Sequence, residues 1–110
     1  MEEIFTSSAE REVKLEFEGK EIVLRVRNLS WSEKNQILSQ CFVYQPSGNV
    51  QFNFDKYMKE SLCKIIVNAP WGKTDHILLN RIKPEFGAKL EALVPKAFVE
   101  GATSDFFVKE

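Results

Sequence analysis

Histidine, cysteine and glycine are scarce in this chain of 110 residues, and the scarcity removes several classes of site. The single histidine, His76, and its neighbour Asp75 fall short of the three or four ligands that zinc usually takes. Gly72-Lys73-Thr74 resembles the end of a phosphate-binding loop, but residues 61–71 contain no upstream glycine. The sequence therefore predicts no metal site and no cofactor.

An excess of charge of one sign is also lacking. The chain has 15 basic and 16 acidic residues, whereas a nucleic-acid-binding protein usually shows a basic excess or stripe. No apolar run approaches the roughly 20 residues of a membrane-spanning helix. We therefore expect a cytoplasmic protein with no nucleic-acid or membrane partner. We expect Cys41 and Cys63 to be reduced and to pack as small apolar residues.

Residue types that serve in catalysis are present, but their arrangement does not indicate an active site. The carboxylates fall on the polar faces of the predicted elements. Neither cysteine has the basic or glycine-rich neighbours that would lower the pKa of its thiol. A small hydrolase that uses Cys63 or His76 is a remote alternative. We expect no catalytic residues and no enzymatic activity.

What the chain does contain is a clear alternation of apolar and charged residues near its start. Two such runs, residues 12–18 and 21–27, are joined by a turn at Gly19. Period-two alternation predicts a β-hairpin with one buried face, and a hairpin of this kind needs a packing partner to be stable. The residues expected on the buried face are Val13, Leu15, Phe17, Ile22, Leu24 and Val26.

Helical periodicity begins after the hairpin. Ser30 followed by Glu33 is a capping-box pattern, and it predicts a helix over residues 31–42. Residues 42–54 alternate weakly around a Pro-Ser-Gly-Asn turn, which fits either a short second hairpin or a plain loop. A second helix is expected over residues 55–67.

Prolines divide the second half of the chain. Pro70 is expected to end the second helix, because the residue before a proline avoids the α region. After the Pro70-Trp71-Gly72 corner, Thr74 is the expected N-cap of a short helix that carries Ile77, Leu78 and Ile82. Pro84 is expected in the first turn of a final helix, which continues to the next proline.

Together these elements predict an α+β fold, in which an N-terminal β-hairpin packs on three to four α-helices. We expect a loose arm over residues 1–10, one domain over residues 11–98 and a tail over residues 99–110. The aromatic residues that could contact a partner are Trp31, Trp71, Phe98, Phe106 and Phe107.

Two alternatives stay open for these aromatic residues. The tryptophans belong either to the core and its edge or to an anchor for a partner, and Trp71 is expected to fix the angle between two helices. The phenylalanine-bearing tail either docks on its own domain or is offered to another protein as a linear segment.

Three short stretches carry a family resemblance. Residues 28–35 read Asn-Leu-Ser-Trp-Ser-Glu-Lys-Asn, residues 69–72 read Ala-Pro-Trp-Gly, and residues 93–98 read Leu-Val-Pro-Lys-Ala-Phe. A Leu-Ser-Trp-like helix start, an Ala-Pro connector and a Leu-Val-Pro-x-Phe-like ending occur in this order in one family. Over roughly residues 13–98 the chain resembles the tail assembly chaperones of long-tailed bacteriophages and related archaeal proviruses.

The resemblance implies a protein-binding role. Proteins of that family hold the tail tape-measure protein in solution, recruit tail-tube subunits to it and are usually absent from the finished particle. They have no catalytic residues. Here Trp31, Trp71 and the phenylalanine-bearing tail would be the contact points. The alternatives are a virion structural or head–tail connector subunit and a generic intracellular protein-interaction domain, and self-association into a homo-oligomer stays open.

Overall fold

The computed structural model describes residues 9–97 of the chain. The predicted tail over residues 99–110, which carries Phe106 and Phe107, lies outside the described residues, and so do Phe98 and residues 1–8 of the predicted arm. The elements, in chain order, are β1 Arg11–Phe17, β2 Lys20–Val26, α1 Trp31–Ser39, β3 Phe42–Tyr44, β4 Val50–Phe52, α2 Phe54–Ile65, β5 Ile66–Asn68, α3 His76–Leu79 and α4 Pro84–Glu91. An N-terminal antiparallel hairpin that packs with helices confirms the predicted α+β class.

The hairpin β1–β2 forms as predicted and buries the predicted face. Its strands pair from Arg11 with Val26 to Phe17 with Lys20. Both residues of the turn have positive φ, 52° at Glu18 and 78° at Gly19, which matches the right-handed twist of the strands. The predicted inward-facing residues are buried or pack against the core, while their charged neighbours are exposed.

The strand β5 replaces the end of the predicted second helix. This helix ends at Ile65, and the chain continues directly as a strand that pairs with β2, so the prediction of a helix to residue 67 is wrong. The N–H group of Arg27 donates to the carbonyl oxygen of Ile65 at 2.9 Å. Because residues 65–67 are β-branched, they fit a sheet edge at least as well as a last helical turn.

The helix α1 starts at the predicted capping box and ends earlier than predicted. The Oγ atom of Ser30 accepts from the N–H group of Glu33 at 3.1 Å, and a Glu33 carboxylate oxygen accepts from the N–H group of Ser30 at 3.0 Å. The helix ends at Ser39 instead of Phe42, because Phe42 begins the hairpin β3–β4. The structure therefore decides the ambiguity over residues 42–54 in favour of a hairpin.

A charge pair locks the start of α1 to the end of the sheet. The guanidinium group of Arg27 donates two hydrogen bonds, of 3.0 and 2.9 Å, to the carboxylate of Glu33. These bonds, followed by the N–H group of Ser30, lower the pKa of Glu33 to about 2. The ionised carboxylate is thus favoured in the folded state, and the pair contributes to stability only while Glu33 is charged.

We expect Glu33→Gln to lower the free energy of unfolding near neutral pH by about 1–2 kcal/mol, because the carboxylate is about a third exposed and partly screened. Since its pKa is lower in the folded state, the contribution of Glu33 is present above about pH 5 and is lost as the pH falls towards about 2. Urea denaturation at several pH values in this range measures the contribution of Glu33 to the free energy of unfolding. The variant should lose less stability in acid than the parent, and Glu12→Gln is the control on an exposed strand face. Parallel pH profiles for Glu33→Gln and the parent would contradict this account.

The core lies between the inner face of the hairpin and the helices α1, α2 and α4. Tyr57 of α2 is fully buried and its hydroxyl donates to the carbonyl oxygen of Pro95 at 2.6 Å. The helix α4 starts with Pro84 as predicted but ends at Glu91, and a turn after it still brings Val94 into the core. The buried apolar residues are Leu24, Val26, Ile37, Cys41, Tyr57, Leu62, Ile65, Ile66, Ala69, Phe86, Leu90 and Val94.

Candidate functional site

Trp31 lies in the first turn of α1, and its side chain is 80% exposed. The expectation that it belongs to the core or its edge is wrong. Helical side chains point back towards the N terminus, so a residue at the first position extends beyond the end of the helix. The buried face of α1 is instead formed further along, at Ile37, with Cys41 just after the helix.

Trp71, by contrast, packs at the edge of the core. Its ring meets Phe86 edge-on, with centroids 5.9 Å apart and an angle of 87° between the ring planes. Its Nε1–H group donates to the Oγ1 atom of Thr74 at 2.9 Å. These contacts hold the Pro70-Trp71-Gly72 corner against the start of α4, as expected for a residue that fixes the geometry of the corner.

The short helix after the corner is organised differently from the prediction. Thr74 is buried and bonded to Trp71, whereas the N-cap of α3 is Asp75, whose Oδ1 atom accepts from the N–H group of Leu78 at 2.9 Å. The helix has four residues, and Ile77 is 74% exposed rather than packed. A helix of one turn buries only the side nearest the core, which leaves Ile77 exposed. Ile82, the last apolar residue predicted for this helix, lies after its end and packs against the core.

The corner, α3, α4 and the end of the β1–β2 hairpin enclose a groove of about 450 Å³, which we call the corner groove. Its apolar lining residues are Phe17, Ile22, Trp71, Ile77, Leu78, Ile82 and Phe86. Phe17 and Phe86 pack with centroids 5.2 Å apart. Sequence reasoning missed this groove, because its aromatic residues come from three separate segments.

Cationic side chains line the rim of the corner groove. They belong to Lys73, Arg81 and Lys83. The Lys83 ammonium is 3.0 Å from a Glu18 carboxylate oxygen and 6.0 Å from the centroid of the Phe17 ring. Within residues 9–97, neither Lys73 nor Arg81 forms an ion pair. The groove thus combines an apolar floor with positive charge that is available to a ligand.

The second hairpin carries further exposed apolar side chains. The rings of its inner pair, Phe42 and Phe52, have centroids 5.4 Å apart and are tilted by 55°, and Phe52 also contacts the ring of Tyr57. Towards the tip, Tyr44 pairs with Val50 across the strands, and Tyr44 is 78% exposed. The hairpin therefore extends from the core into solvent with an aromatic side chain near its end.

His76 and Cys63, the residues considered for catalysis, both lie near carboxylates. The Nε2 atom of His76 lies 3.1 Å from a carboxylate oxygen of Glu60. Burial, followed by the nearby carboxylates of Glu60 and Asp75, raises the pKa of the Cys63 thiol, which is opposite to the activation of a nucleophile. In the part of the chain that the structure describes, no three His, Cys, Asp or Glu side chains group as metal ligands. The absence of enzymatic activity stays a prediction.

Comparison of the chain with known protein families gave no match, and neither did comparisons with curated proteins and with solved structures. Among residues 9–97, no helix has the length and apolar character needed to cross a membrane. The features that bear on function are therefore the two tryptophans, the corner groove and the resemblance carried by the sequence.

Proposed function

We propose that this chain is a protein-binding chaperone of viral tail assembly, which acts in the cytoplasm of the host cell. It keeps the tail tape-measure protein in solution and recruits tail-tube subunits to it. The observation that carries the proposal is the exposure of Trp31 within the stretch 28–35, the stretch where the sequence resembles the tail assembly chaperones. The proposed role requires no catalytic residue and no cofactor.

An exposed tryptophan on a rigid helix start suits the binding of another protein. Aromatic side chains bury about 150–250 Å² on docking and dominate the energetics of many interfaces. The capping box and the Arg27–Glu33 pair hold the first turn of α1 in place. Because the segment that presents Trp31 is already ordered, a partner would pay little conformational entropy to use it.

The experiment is co-expression of the full chain with the tape-measure protein of the same virus. We expect the soluble fraction of the tape-measure protein to rise and the two proteins to purify together. A tape-measure protein that stays insoluble and forms no complex would overturn the proposal. The protein should also be missing from purified virions, and its presence there would favour a virion structural or head–tail connector subunit.

Trp31→Ala is expected to weaken the complex by about 2 kcal/mol or more, roughly 30-fold in the dissociation constant, as is usual for an interface anchor. The free energy of unfolding should change by less than about 0.5 kcal/mol, because the side chain is exposed. Tyr44→Ala is the matched control, since it removes an equally exposed aromatic residue from the second hairpin. Equal losses of affinity in both variants would contradict a specific role for Trp31.

A further inference from the structure

The corner groove offers a binding site of defined chemistry. Its apolar lining includes the side chains of Phe17, Trp71 and Phe86. Its rim carries Lys73 and Arg81, which form no ion pair with another described residue. A ligand that fits this surface has aromatic or aliphatic side chains for the floor and a carboxylate for the rim.

The chain itself contains a segment with this chemistry. Residues 105–108 read Asp-Phe-Phe-Val, which places one carboxylate directly before two aromatic side chains. The segment lies outside the described residues, and it follows the stretch Gly101-Ala102-Thr103-Ser104. Small and polar residues of this kind form linkers that allow a following segment to reach back.

The linker is long enough to reach the corner groove. From Phe86 to Val94 the helix α4 and the turn after it advance the chain by about 12 Å. The stretch from Val94 to Ala97 adds at most about 10 Å, so Ala97 lies within about 22 Å of Phe86. The segment between Ala97 and Asp105 can span about 26 Å when it is extended.

A second apolar groove, of about 410 Å³, lies beside Ala97 and is lined by Phe52, Phe54, Met58 and Val94. Its charged lining residues are Glu91 and Lys96, one of each sign. The corner groove has three cations and one anion among its lining residues, so Asp105 is attracted to it more strongly. Charge thus distinguishes the two grooves for an acidic–aromatic segment.

We propose that residues 105–108 of the chain dock into the corner groove of the same molecule. Phe106 and Phe107 cover Trp71 and Phe86, and the Asp105 carboxylate faces Lys73 and Arg81. Tethering the segment to the same chain gives it an effective concentration on the order of 1 mM, so an intrinsic dissociation constant of about 100 µM keeps about nine-tenths of the grooves occupied.

The experiment uses the full chain with Trp31→Phe, in which Trp71 is the remaining tryptophan and reports on the groove. This background also separates the test from the proposed chaperone role, which depends on Trp31. Adding Phe106→Ala and Phe107→Ala should shift the emission of Trp71 to longer wavelength and raise its quenching by acrylamide. The control pair, Thr103→Ala and Ser104→Ala, leaves the aromatic residues in place and should behave as the parent.

A synthetic peptide of residues 98–110 provides the second measurement. It should bind the Phe106→Ala, Phe107→Ala variant and restore the Trp71 emission. On the parent it should bind about tenfold more weakly, because the linked segment competes. Arg81→Glu should also expose Trp71, and Asp105→Arg in the same chain should reverse that change if the two side chains face each other.

Two results would overturn the proposal. One is that Trp71 emission stays unchanged after loss of both phenylalanines and that the peptide binds variant and parent equally. This result would place the segment elsewhere, such as in the groove beside Ala97. The other is a Trp71 signal in the parent that depends on protein concentration, which would show that a second copy supplies the segment. Neither result depends on whether the protein co-purifies with the tape-measure protein, so the two proposals are tested separately.

Discussion

Replacing Tyr57 by alanine is expected to lower the free energy of unfolding by about 3–5 kcal/mol, the range for deletion of a buried aromatic side chain. Tyr57 is fully buried near the start of α2, and its ring contacts that of Phe52 with centroids 5.8 Å apart. Small domains unfold with about 5–15 kcal/mol in total, so the variant would lose a large share of its stability. Chemical denaturation followed by circular dichroism measures the loss.

Tyr57→Phe separates the hydroxyl group from the ring. The hydroxyl donates at 2.6 Å to the carbonyl oxygen of Pro95, which ties the start of α2 to the segment after α4. Removing that bond should cost about 1–2 kcal/mol. The only other tyrosine, Tyr44, supplies the control, because its alanine variant removes an exposed ring and should change stability by less than about 0.5 kcal/mol. Similar losses at both tyrosines would contradict the described core.

Phe86→Ala is the second substitution with a large expected effect, about 3–5 kcal/mol. Phe86 is buried at the start of α4, and its ring contacts both Phe17 of the hairpin and Trp71 of the corner. The aromatic contacts join three segments, so their loss removes packing that no neighbour replaces. Trp71 should also become more exposed, which a shift of its emission to longer wavelength would show.

Phe86→Leu is the matched control for this prediction. Leucine keeps most of the buried volume but not the aromatic edge contacts, so the expected cost is about 1.5 kcal/mol or less. Thermal unfolding and Trp71 fluorescence in the Trp31→Phe background measure both variants. If Phe86→Ala unfolds with the same midpoint as the parent, the contact between α4 and the corner is not part of the folding core.

Local patterns in the sequence were sufficient to predict the first hairpin and the start of α1. Both signals, the alternation of residues 12–18 and 21–27 and the Ser30–Glu33 capping box, depend on residues that are close together in the sequence. A short stretch of sequence is therefore enough to predict these elements. The strand β5 could not be read in this way. Ile66 belongs to it because β2 offers a free edge, and that partner lies far back in the chain.

The residues of the candidate site also differ in how far the sequence predicts their positions. The sequence indicates the proline–glycine corner at Trp71, and the structure shows that Trp71 packs there against Phe86. The exposure of Trp31 depends on its position within the first helical turn, and the sequence had left both a core position and a partner anchor open. The corner groove requires Phe17, Trp71 and Phe86 to meet, and their spacing along the chain carries no signal of that meeting.

The direct passage from α2 into β5 has a consequence for how the sheet is assembled during folding. The β1–β2 hairpin closes through a two-residue turn and can form within microseconds. Val26, however, pairs with Ile66, so the third strand can join only after the intervening chain has been gathered into place. Since no loop separates Ile65 from Ile66, α2 docks and the sheet is completed in the same step. Until that step, the edge of β2 that β5 pairs with stays open.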